Sequence, residues 1–271
     1  MSTELGDRGE SNGRLLYGII STRRPQNVAH MQELVNPDIW VVNDSKDYHD
    51  YKEAGANYVA TNRSHPASAA GNRNYLLNYA EERACWIAIF DDDINKFYSF
   101  DGRTNWTIAA DTAVHTICGH MMVTGATLGG VGRTVRSKNQ GQDVKTWGLL
   151  SGTTMVVDPS DGVRFQENQC LKFVDDVDFS CRKMAETGHI IKVEWLTADS
   201  HVGSYTIDGE GGHAEDRTLE LQEENVKYVL RLWSHMIKRS HINPKGIMMR
   251  NYKPTWPDSA KEAYKKLQES W

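Results

Sequence analysis

Residues 85–93 read Cys-Trp-Ile-Ala-Ile-Phe-Asp-Asp-Asp, an apolar run that ends abruptly in three aspartates. A short, wholly apolar run is typical of a strand that is buried on both faces of a parallel sheet. Consecutive carboxylates repel one another, so three of them at a strand end indicate a bound cation; a solvated acidic turn or a helix N-cap is the alternative. Oxygen ligands suit Mg²⁺ or Mn²⁺, which typically also bind substrate phosphates. Because side chains alternate along a strand, Asp91 and Asp93 are the candidate metal pair and Asp92 faces the other way.

The residues before this run alternate between apolar strands and helical patterns. We predict strands over 15–21, 39–43 and 58–61, and helices over 26–34, 48–54 and 68–84. This order predicts an α/β fold with a mostly parallel sheet and helices on both of its faces. Ligands of such sheets bind beyond the carboxyl ends of the strands, where the three aspartates lie.

The second half of the chain is less regular. We predict strands within 148–157 and over 190–195, helices over 174–187 and 219–237, a basic loop over 238–257 and a short terminal helix. The helix at 174 opens with a second group of acids, Asp175, Asp176 and Asp178. The helix dipole favours acids in a first turn, which is the structural explanation. A carboxylate at this position can also accept the proton of an alcohol, which is the functional one.

Charge is distributed unevenly along the chain. The net charge of -5 combines ten basic and three acidic residues in 227–271, or +7, with -12 over the remainder. A basic tail on an acidic body favours a polyanionic partner, although a solvated helix face would give the same pattern. We expect four free thiols in a reducing compartment, with disulfides or zinc as the alternatives.

Targeting and membrane signals are missing from the sequence. No run of about 18 apolar residues exists, which predicts that the chain has no membrane span. The polar, acidic residues 1–13 predict a disordered lead-in without a secretory signal, and hence a cytoplasmic protein.

Four motifs resemble those of the GT-A fold glycosyltransferases, particularly the inverting group of family-2 type. They follow one another in the expected order over residues 14–200: Val41–Ser45 (VVNDS), Gly71–Asn74 (GNRN), Asp91–Asp93 (DDD) and 175–182 (DDVDFSCR). The resemblance implies a Rossmann-like GT-A fold and transfer of a sugar from a UDP-sugar to a hydroxyl acceptor, with Mn²⁺ or Mg²⁺ held by Asp91 and Asp93. Asn43 and Asp175 depart from the group, which often has Asp and Glu at these positions.

The resemblance also implies roles for individual residues. Asp176 would accept the proton of the acceptor hydroxyl, with Asp178 as the alternative base. His201 would be a further metal ligand, with His213 as the alternative. The positions assigned to the nucleotide-sugar are Thr22, Arg23, Asp44, Gly71, Arg73, Asp92, Gly212 and Arg217.

The acceptor is predicted from a narrower resemblance. Residues 211–217 (GGHAEDR) resemble a segment of phage TET-associated glycosyltransferases, which implies a 5-hydroxymethylpyrimidine in DNA as acceptor and the host cytoplasm as location. Basic and aromatic side chains suit a nucleic acid backbone and an exposed base. The candidates for these contacts are Arg133, Arg136, Lys138, Trp233, Lys238, Arg239, Lys245, Tyr252 and Trp256.

The predicted organisation places the glycosyltransferase domain at 14–237, followed by a basic C-terminal extension at 238–271. The domain divides into a nucleotide-binding half at 14–100 and an acceptor half at 101–237. Three alternatives remain: the same enzyme acting on a glycan, protein or small molecule, a sugar-nucleotide pyrophosphorylase, and a non-catalytic DNA-binding module. The pyrophosphorylase is disfavoured because residues 21–25 (STRRP) lack the glycine-rich loop of those enzymes.

Overall fold

A computed structural model describes residues 14–62, 68–132, 143–200, 218–239, 252–254 and 257–269. Its centre is a ten-stranded sheet in the order β3-β2-β1-β4-β9-β7-β10-β5-β6, with β8 paired to β10. The first four strands are all parallel: β1 (Arg14–Ile20), β2 (Ile39–Val42), β3 (Val59–Thr61) and β4 (Cys85–Asp91). Three helices connect them: α1 (Val28–Leu34), α2 (Ser45–Glu53) and α3 (Ala69–Glu81).

The second half of the sheet mixes strand directions. Its strands are β5 (Ile94–Phe100), β6 (Asn105–Ile108), β7 (Leu128–Gly132), β8 (Val144–Lys145), β9 (Thr154–Val157) and β10 (Ile191–Ser200). The helices of this half are α4 (Ala110–Thr124) and α5 (Asp175–Thr187). Strands β5, β8 and β9 run against the others, so the sheet is mostly parallel, as predicted. The chain continues with α6 (Leu219–Leu232), a small hairpin of β11 (Ile237–Arg239) and β12 (Tyr252–Pro254), and α7 (Asp258–Glu269).

The alternation of side chains along the central strands divides the core between the two faces of the sheet. On β4, Ile87 and Ile89 join a cluster with residues of α3 and α5, whereas Ala88 and Phe90 join a cluster with residues of α1 and α4. Leu267 of α7 is buried in the second cluster. The terminal helix is therefore packed onto the same face as α4.

Two parts of the structure depart from the sequence predictions. The sequence patterns predicted no elements over 94–132, but these residues form β5, β6, α4 and β7. The pattern of α4 is obscured because Met122 and Val123 are exposed, so its apolar residues are not confined to the buried face. The helix predicted over 219–237 ends at Leu232, since Trp233 leaves the helical conformation. Part of the predicted basic loop then forms the β11–β12 pairing.

Two further features bear on the predictions made above. All four cysteines are free, and three of them are buried. Among the described residues, no helix is long and apolar enough to cross a membrane.

Candidate active site

The register of the parallel strands brings the three aspartates beside the loop that follows β1. Asp91 is the last residue of β4 and lies opposite Ile20, the last residue of β1. The residues that follow each strand, 21–24 and 92–93, therefore meet at the carboxyl edge of the sheet. This is the edge at which the sequence analysis placed the ligand site.

Arg73 joins the two acidic motifs of the sequence. Its Nη2 donates to Asp91 Oδ1 at 2.8 Å, and its Nη1 donates to Asp175 Oδ2 at 2.5 Å. Ser68 caps α3 by accepting from Gly71 N at 3.0 Å, which fixes the turn that carries Arg73. Burial opposes the charge of the guanidinium, but Asp175, Asp91 and Asp176 outweigh it and raise the pKa of Arg73. The tip of β4, the start of α3 and the start of α5 thus form one site.

Asp92 and Asp93 lie in a turn beyond the end of β4, so the alternation expected for three strand residues stops at Asp91. Arg24 Nη1 donates to Asp92 Oδ1 at 2.9 Å and to Asp93 Oδ2 at 3.4 Å. Asp92 also accepts from the Ser21 hydroxyl through its other carboxylate oxygen. Its backbone carbonyl accepts from Asn27 Nδ2 at 3.0 Å. Asp92 is consequently an anchored residue of the turn.

The surroundings of Asp91 and Asp92 disfavour the charged form of both carboxylates. Burial raises the pKa of Asp91 above its usual range, Arg73 counteracts this, and the neighbouring Asp93 and Asp92 add to the increase. Burial likewise raises the pKa of Asp92 to about 6, despite the opposing charge of Arg24. A divalent cation would reverse this tendency, because it favours the ionised form of every nearby carboxylate.

The acids of α5 divide into two groups. Asp175 pairs with Arg73, while Asp176 accepts from Gly152 N at 3.2 Å and from Val177 N at 2.9 Å. Asp178 is fully buried and points elsewhere: its Oδ2 accepts from Arg182 Nε at 2.7 Å and its Oδ1 from Trp233 Nε1 at 2.8 Å. Of the two candidate bases, only Asp176 lies in the network that contains Arg73.

Gly152 fits closely between these groups. A Cβ atom at this position would lie 2.7 Å from Arg73 Nη2 and 3.4 Å from Asp176 Cβ. The backbone carbonyl of Gly152 also accepts from Arg73 Nη2 at 3.3 Å. The loop before β9 therefore approaches the site at a distance that a side chain would prevent.

A polar network follows β1 and β2 on the predicted nucleotide side. Asn72 Nδ2 donates to Asn43 Oδ1 at 2.8 Å, and Asn43 Nδ2 donates to Thr22 Oγ1 at 2.8 Å. Thr22 Oγ1 donates to the buried Asp47 at 2.9 Å, which also accepts from Arg23 N at 3.2 Å. The network connects α2 and α3 to the end of β1.

Arg23 and Asp44 flank this network at the surface. Arg23 is exposed and has a φ of 55°, a left-handed conformation that is uncommon for a residue with a side chain. Asp44 is exposed and caps α2 by accepting from Asp47 N at 2.8 Å. Both residues lie at the rim of the carboxyl edge.

Several predicted site residues lie outside the described part of the chain. These are His201, His213, Gly212 and Arg217, together with Arg133, Arg136, Lys138, Lys245 and Trp256. Within the described part, no group of three or more potential metal-ligating side chains is found. Asp91 and Asp93 as a metal-binding pair therefore stay a prediction.

The structure adds residues to the site that the sequence analysis did not select. Ser21, Arg24 and Asn27 hold Asp92, and Tyr51 accepts from Arg24 N at 3.1 Å. The signal that could have found them is the pairing of β1 with β4, which brings the residues directly after Ile20 beside the aspartates.

Comparison of the sequence with protein families and with curated proteins finds no match. Comparison of the fold does find similar structures. One is the mannosyltransferase PcManGT from Pyrobaculum calidifontis in complex with GDP-Man and Mn²⁺, with a TM-score of 0.53 and 9% identity over 94% of this chain and 69% of that chain. Another is A197 from STIV, with a TM-score of 0.39 and 13% identity over 73% of this chain and 92% of that chain.

The likeness to the mannosyltransferase confirms the predicted fold class, an α/β glycosyltransferase fold of the GT-A type. At 9% identity it establishes the fold and leaves the chemistry to be argued from the site. The narrower resemblance to phage DNA glycosyltransferases stays a prediction.

Proposed function

We propose that this protein is a metal-dependent glycosyltransferase that takes a sugar from a nucleotide-sugar donor. The observation that carries the proposal is the group of acids at the tip of β4. Asp91, Asp92 and Asp93 lie at the ligand-binding edge of a glycosyltransferase fold, with pKa values raised for Asp91 and Asp92. Three neighbouring carboxylates of which two have raised pKa values form a site that a cation bound to its substrate would stabilise.

The residues present fit a divalent cation. Among the described residues, Asp91 accepts a hydrogen bond through Oδ1 only and Asp93 through Oδ2 only, which leaves one oxygen of each for a ligand. Mg²⁺ and Mn²⁺ sites commonly combine one or two carboxylates with substrate phosphates. A bound cation would neutralise charge on the departing diphosphate. His201, or alternatively His213, is the proposed further ligand.

The donor is proposed to lie over the carboxyl ends of β1, β2 and β4. Thr22, Arg23, Asp44, Gly71, Arg73 and Asp92 remain the proposed nucleotide-sugar contacts, with Gly212 and Arg217 on the following segment. A UDP-sugar is the donor that the sequence resemblance implies. The structural neighbour was solved with GDP-Man, so a GDP-sugar is the alternative to be tested.

Asp176 is proposed as the general base. Two backbone amides hold its carboxylate, and its neighbour Asp175 pairs with Arg73. The acceptor hydroxyl transfers its proton to Asp176 while its oxygen bonds to the anomeric carbon. The bond from that carbon to the diphosphate oxygen breaks on the opposite side, which inverts the configuration. Arg73 joins the start of α5, through Asp175, to the tip of β4, through Asp91.

For the acceptor, a 5-hydroxymethylpyrimidine in DNA is the finer proposal. Its support is the residue pattern at 211–217 and the +7 charge of 227–271. Lys238 on β11 is exposed and is one of the basic side chains proposed to contact phosphate. The proposed domain of 14–237, the extension of 238–271 and a cytoplasmic location belong to this same hypothesis. A glycan, protein or small-molecule acceptor is the alternative.

A donor panel tests the proposal without knowledge of the acceptor. The protein is incubated with UDP- and GDP-sugars in Mn²⁺ or in EDTA, and release of the nucleoside diphosphate is measured. We expect hydrolysis of one donor class in Mn²⁺ that stops in EDTA. Adding hydroxymethylated DNA, unmodified DNA or oligosaccharides, followed by mass spectrometry, then identifies the acceptor. Hydrolysis that proceeds equally in EDTA, or no donor turnover at all, would contradict the proposal.

A further inference from the structure

The positively charged side chain of Arg24 contacts two of the three aspartates, Asp92 and Asp93. Its side chain is 15% exposed, and its Nη1 lies 2.9 Å from Asp92 Oδ1 and 3.4 Å from Asp93 Oδ2. A guanidinium is always charged and carries several donors in a rigid fork. One nitrogen therefore serves two carboxylates, one of which is a proposed metal ligand.

The two aspartates depend on Arg24 to different degrees. Asp92 has other partners, because the Ser21 hydroxyl donates to its carboxylate and Asn27 donates to its carbonyl. For Asp93, the contact with Arg24 is the one ion pair among the described residues, and it is the longer of the two. Asp92 thus anchors the guanidinium, while Asp93 is shared and can be released.

Arg24 also affects any cation that approaches Asp93. A free Mn²⁺ bound through the other oxygen of Asp93 would lie close to the positive charge of Arg24, which contacts Asp93 Oδ2 at 3.4 Å. A cation already bound to a nucleoside diphosphate brings phosphate oxygens, which a guanidinium binds through charge-assisted hydrogen bonds. The same residue therefore opposes the bare ion and favours the ion–nucleotide complex.

We propose that Arg24 couples metal binding to nucleotide binding. When the donor is absent, the guanidinium of Arg24 contacts both Asp92 and Asp93. When the donor and the cation bind, the guanidinium keeps its contact with Asp92 and exchanges Asp93 for the donor's diphosphate. This inference rests on the proposed function. The site then takes up the metal–nucleotide complex in preference to the free ion, and each ligand raises the affinity for the other by the same factor.

Binding of Mn²⁺ measured by electron paramagnetic resonance of the free ion, with and without UDP or GDP, tests this coupling. For Arg24→Gln we expect Mn²⁺ alone to bind about tenfold more tightly than to the wild type, because a competing charge is removed at close range. We also expect the enhancement of Mn²⁺ affinity by the nucleotide to fall by about fivefold or more. Arg24→Lys, which retains the charge, should stay near the wild type for Mn²⁺ alone.

Arg23→Gln is the matched control. Arg23 is the exposed neighbour of Arg24 along the chain, so this variant removes the same charge at a different position. It should change the affinity for Mn²⁺ alone by less than Arg24→Gln does. Circular dichroism melting curves show whether each variant is folded. If Arg24→Gln is folded and binds Mn²⁺ alone with unchanged or weaker affinity, the coupling role is wrong.

The two proposals can fail separately. If the wild type binds Mn²⁺ with nucleotide, and Asp93→Asn abolishes this binding while Arg24→Gln changes nothing, the proposed function stands and the role of Arg24 is rejected. If the wild type binds no Mn²⁺ even with UDP or GDP, both proposals are overturned.

Discussion

This protein has two groups of acidic side chains that are mostly buried, and the two groups differ in their cationic partners. At the carboxyl edge of the sheet, four carboxylates share two guanidiniums. The carboxylates belong to Asp91, Asp92, Asp93 and Asp175, and the guanidiniums to Arg24 and Arg73. Elsewhere in the molecule, Asp178 accepts from Arg182 and Trp233, and Asp161 binds the fully buried Lys183. Each acid of this second group has its own cationic partner.

We interpret the difference as one between structural acids and acids that are available to a ligand. A carboxylate that is hydrogen-bonded and paired stabilises its surroundings and has no need of a ligand. Burial raises the pKa of Asp91 and of Asp92, and repulsion by neighbouring aspartates adds to the increase. We therefore expect substitutions in the two groups to have opposite effects on activity and on stability.

The largest effect should come from the tip of β4. Asp93→Asn or Asp91→Asn should lower donor turnover by at least about a hundredfold, as is typical when electrostatic stabilisation of a developing charge is lost. The fold should be retained, because an asparagine at position 91 keeps an oxygen that can accept from Arg73, and Arg24 keeps Asp92 as its partner when Asp93 is replaced. Turnover in Mn²⁺ and the unfolding midpoint at pH 8 measure the two effects. A variant that is fully active, or one that is inactive only because it is unfolded, would contradict the functional role of these acids.

Asp176 and Asp178 provide a matched pair on one helix. Asp176→Asn should keep donor affinity and lower the transfer rate by ~10²–10⁴-fold, as expected for loss of a general base. Asp178→Asn should instead lower the free energy of unfolding by about 1–3 kcal/mol, because a bond of its buried carboxylate is lost. Rate measurements and urea unfolding distinguish them. If Asp178→Asn loses the rate and keeps its stability, Asp178 is the base.

Lys183 should show the same structural behaviour. Its Nζ lies 2.6 Å from Asp161 Oδ2, and it also donates to Asp158 O at 3.2 Å. Lys183→Met leaves Asp161 without its cation and should lower the free energy of unfolding by about 3 kcal/mol. Donor affinity of the folded fraction should be unchanged. The double variant Lys183→Met/Asp161→Asn should lose less than the sum of the single variants. An additive loss would show that the pair does not interact.

The smallest effect concerns His120, outside both groups of acids. Burial lowers the pKa of His120 below its usual 6.5, so the unfolded chain binds more protons than the folded protein as the pH falls below that value. Its contribution to stability is full above pH 6.5 and is lost as the pH falls toward the lower, folded-state pKa. In His120→Gln, the decrease of the unfolding midpoint between pH 7 and pH 5 should be slightly smaller than in the wild type. An identical pH profile would contradict this.

The sequence predicted the first half of the fold well because its signals are local. Each strand of β1 to β4 is a short apolar run, and the three aspartates follow directly after the most apolar of them. Residues 94–132 were missed for two reasons. Strands β5 and β6 are partly exposed, and α4 carries the apolar Met122 and Val123 outside its buried face, which obscures the helical period.

Within the site, residue types were easier to predict than pairings. Arg73 was selected from the sequence, but its bridge from Asp91 to Asp175 spans residues that are far apart along the chain. Arg24 was not selected, whereas its neighbour Arg23 was, because only the register of β1 against β4 decides which arginine reaches the aspartates.

The most direct test is the affinity for the donor, measured by titration calorimetry with saturating Mn²⁺ and again with EDTA. The account predicts binding in Mn²⁺ that is weakened by at least about a hundredfold in EDTA, and an Asp93→Asn variant that binds the donor equally weakly under both conditions. Equal donor affinity of the wild type with and without the metal would show that the acids at the tip of β4 do not hold a cation for the diphosphate.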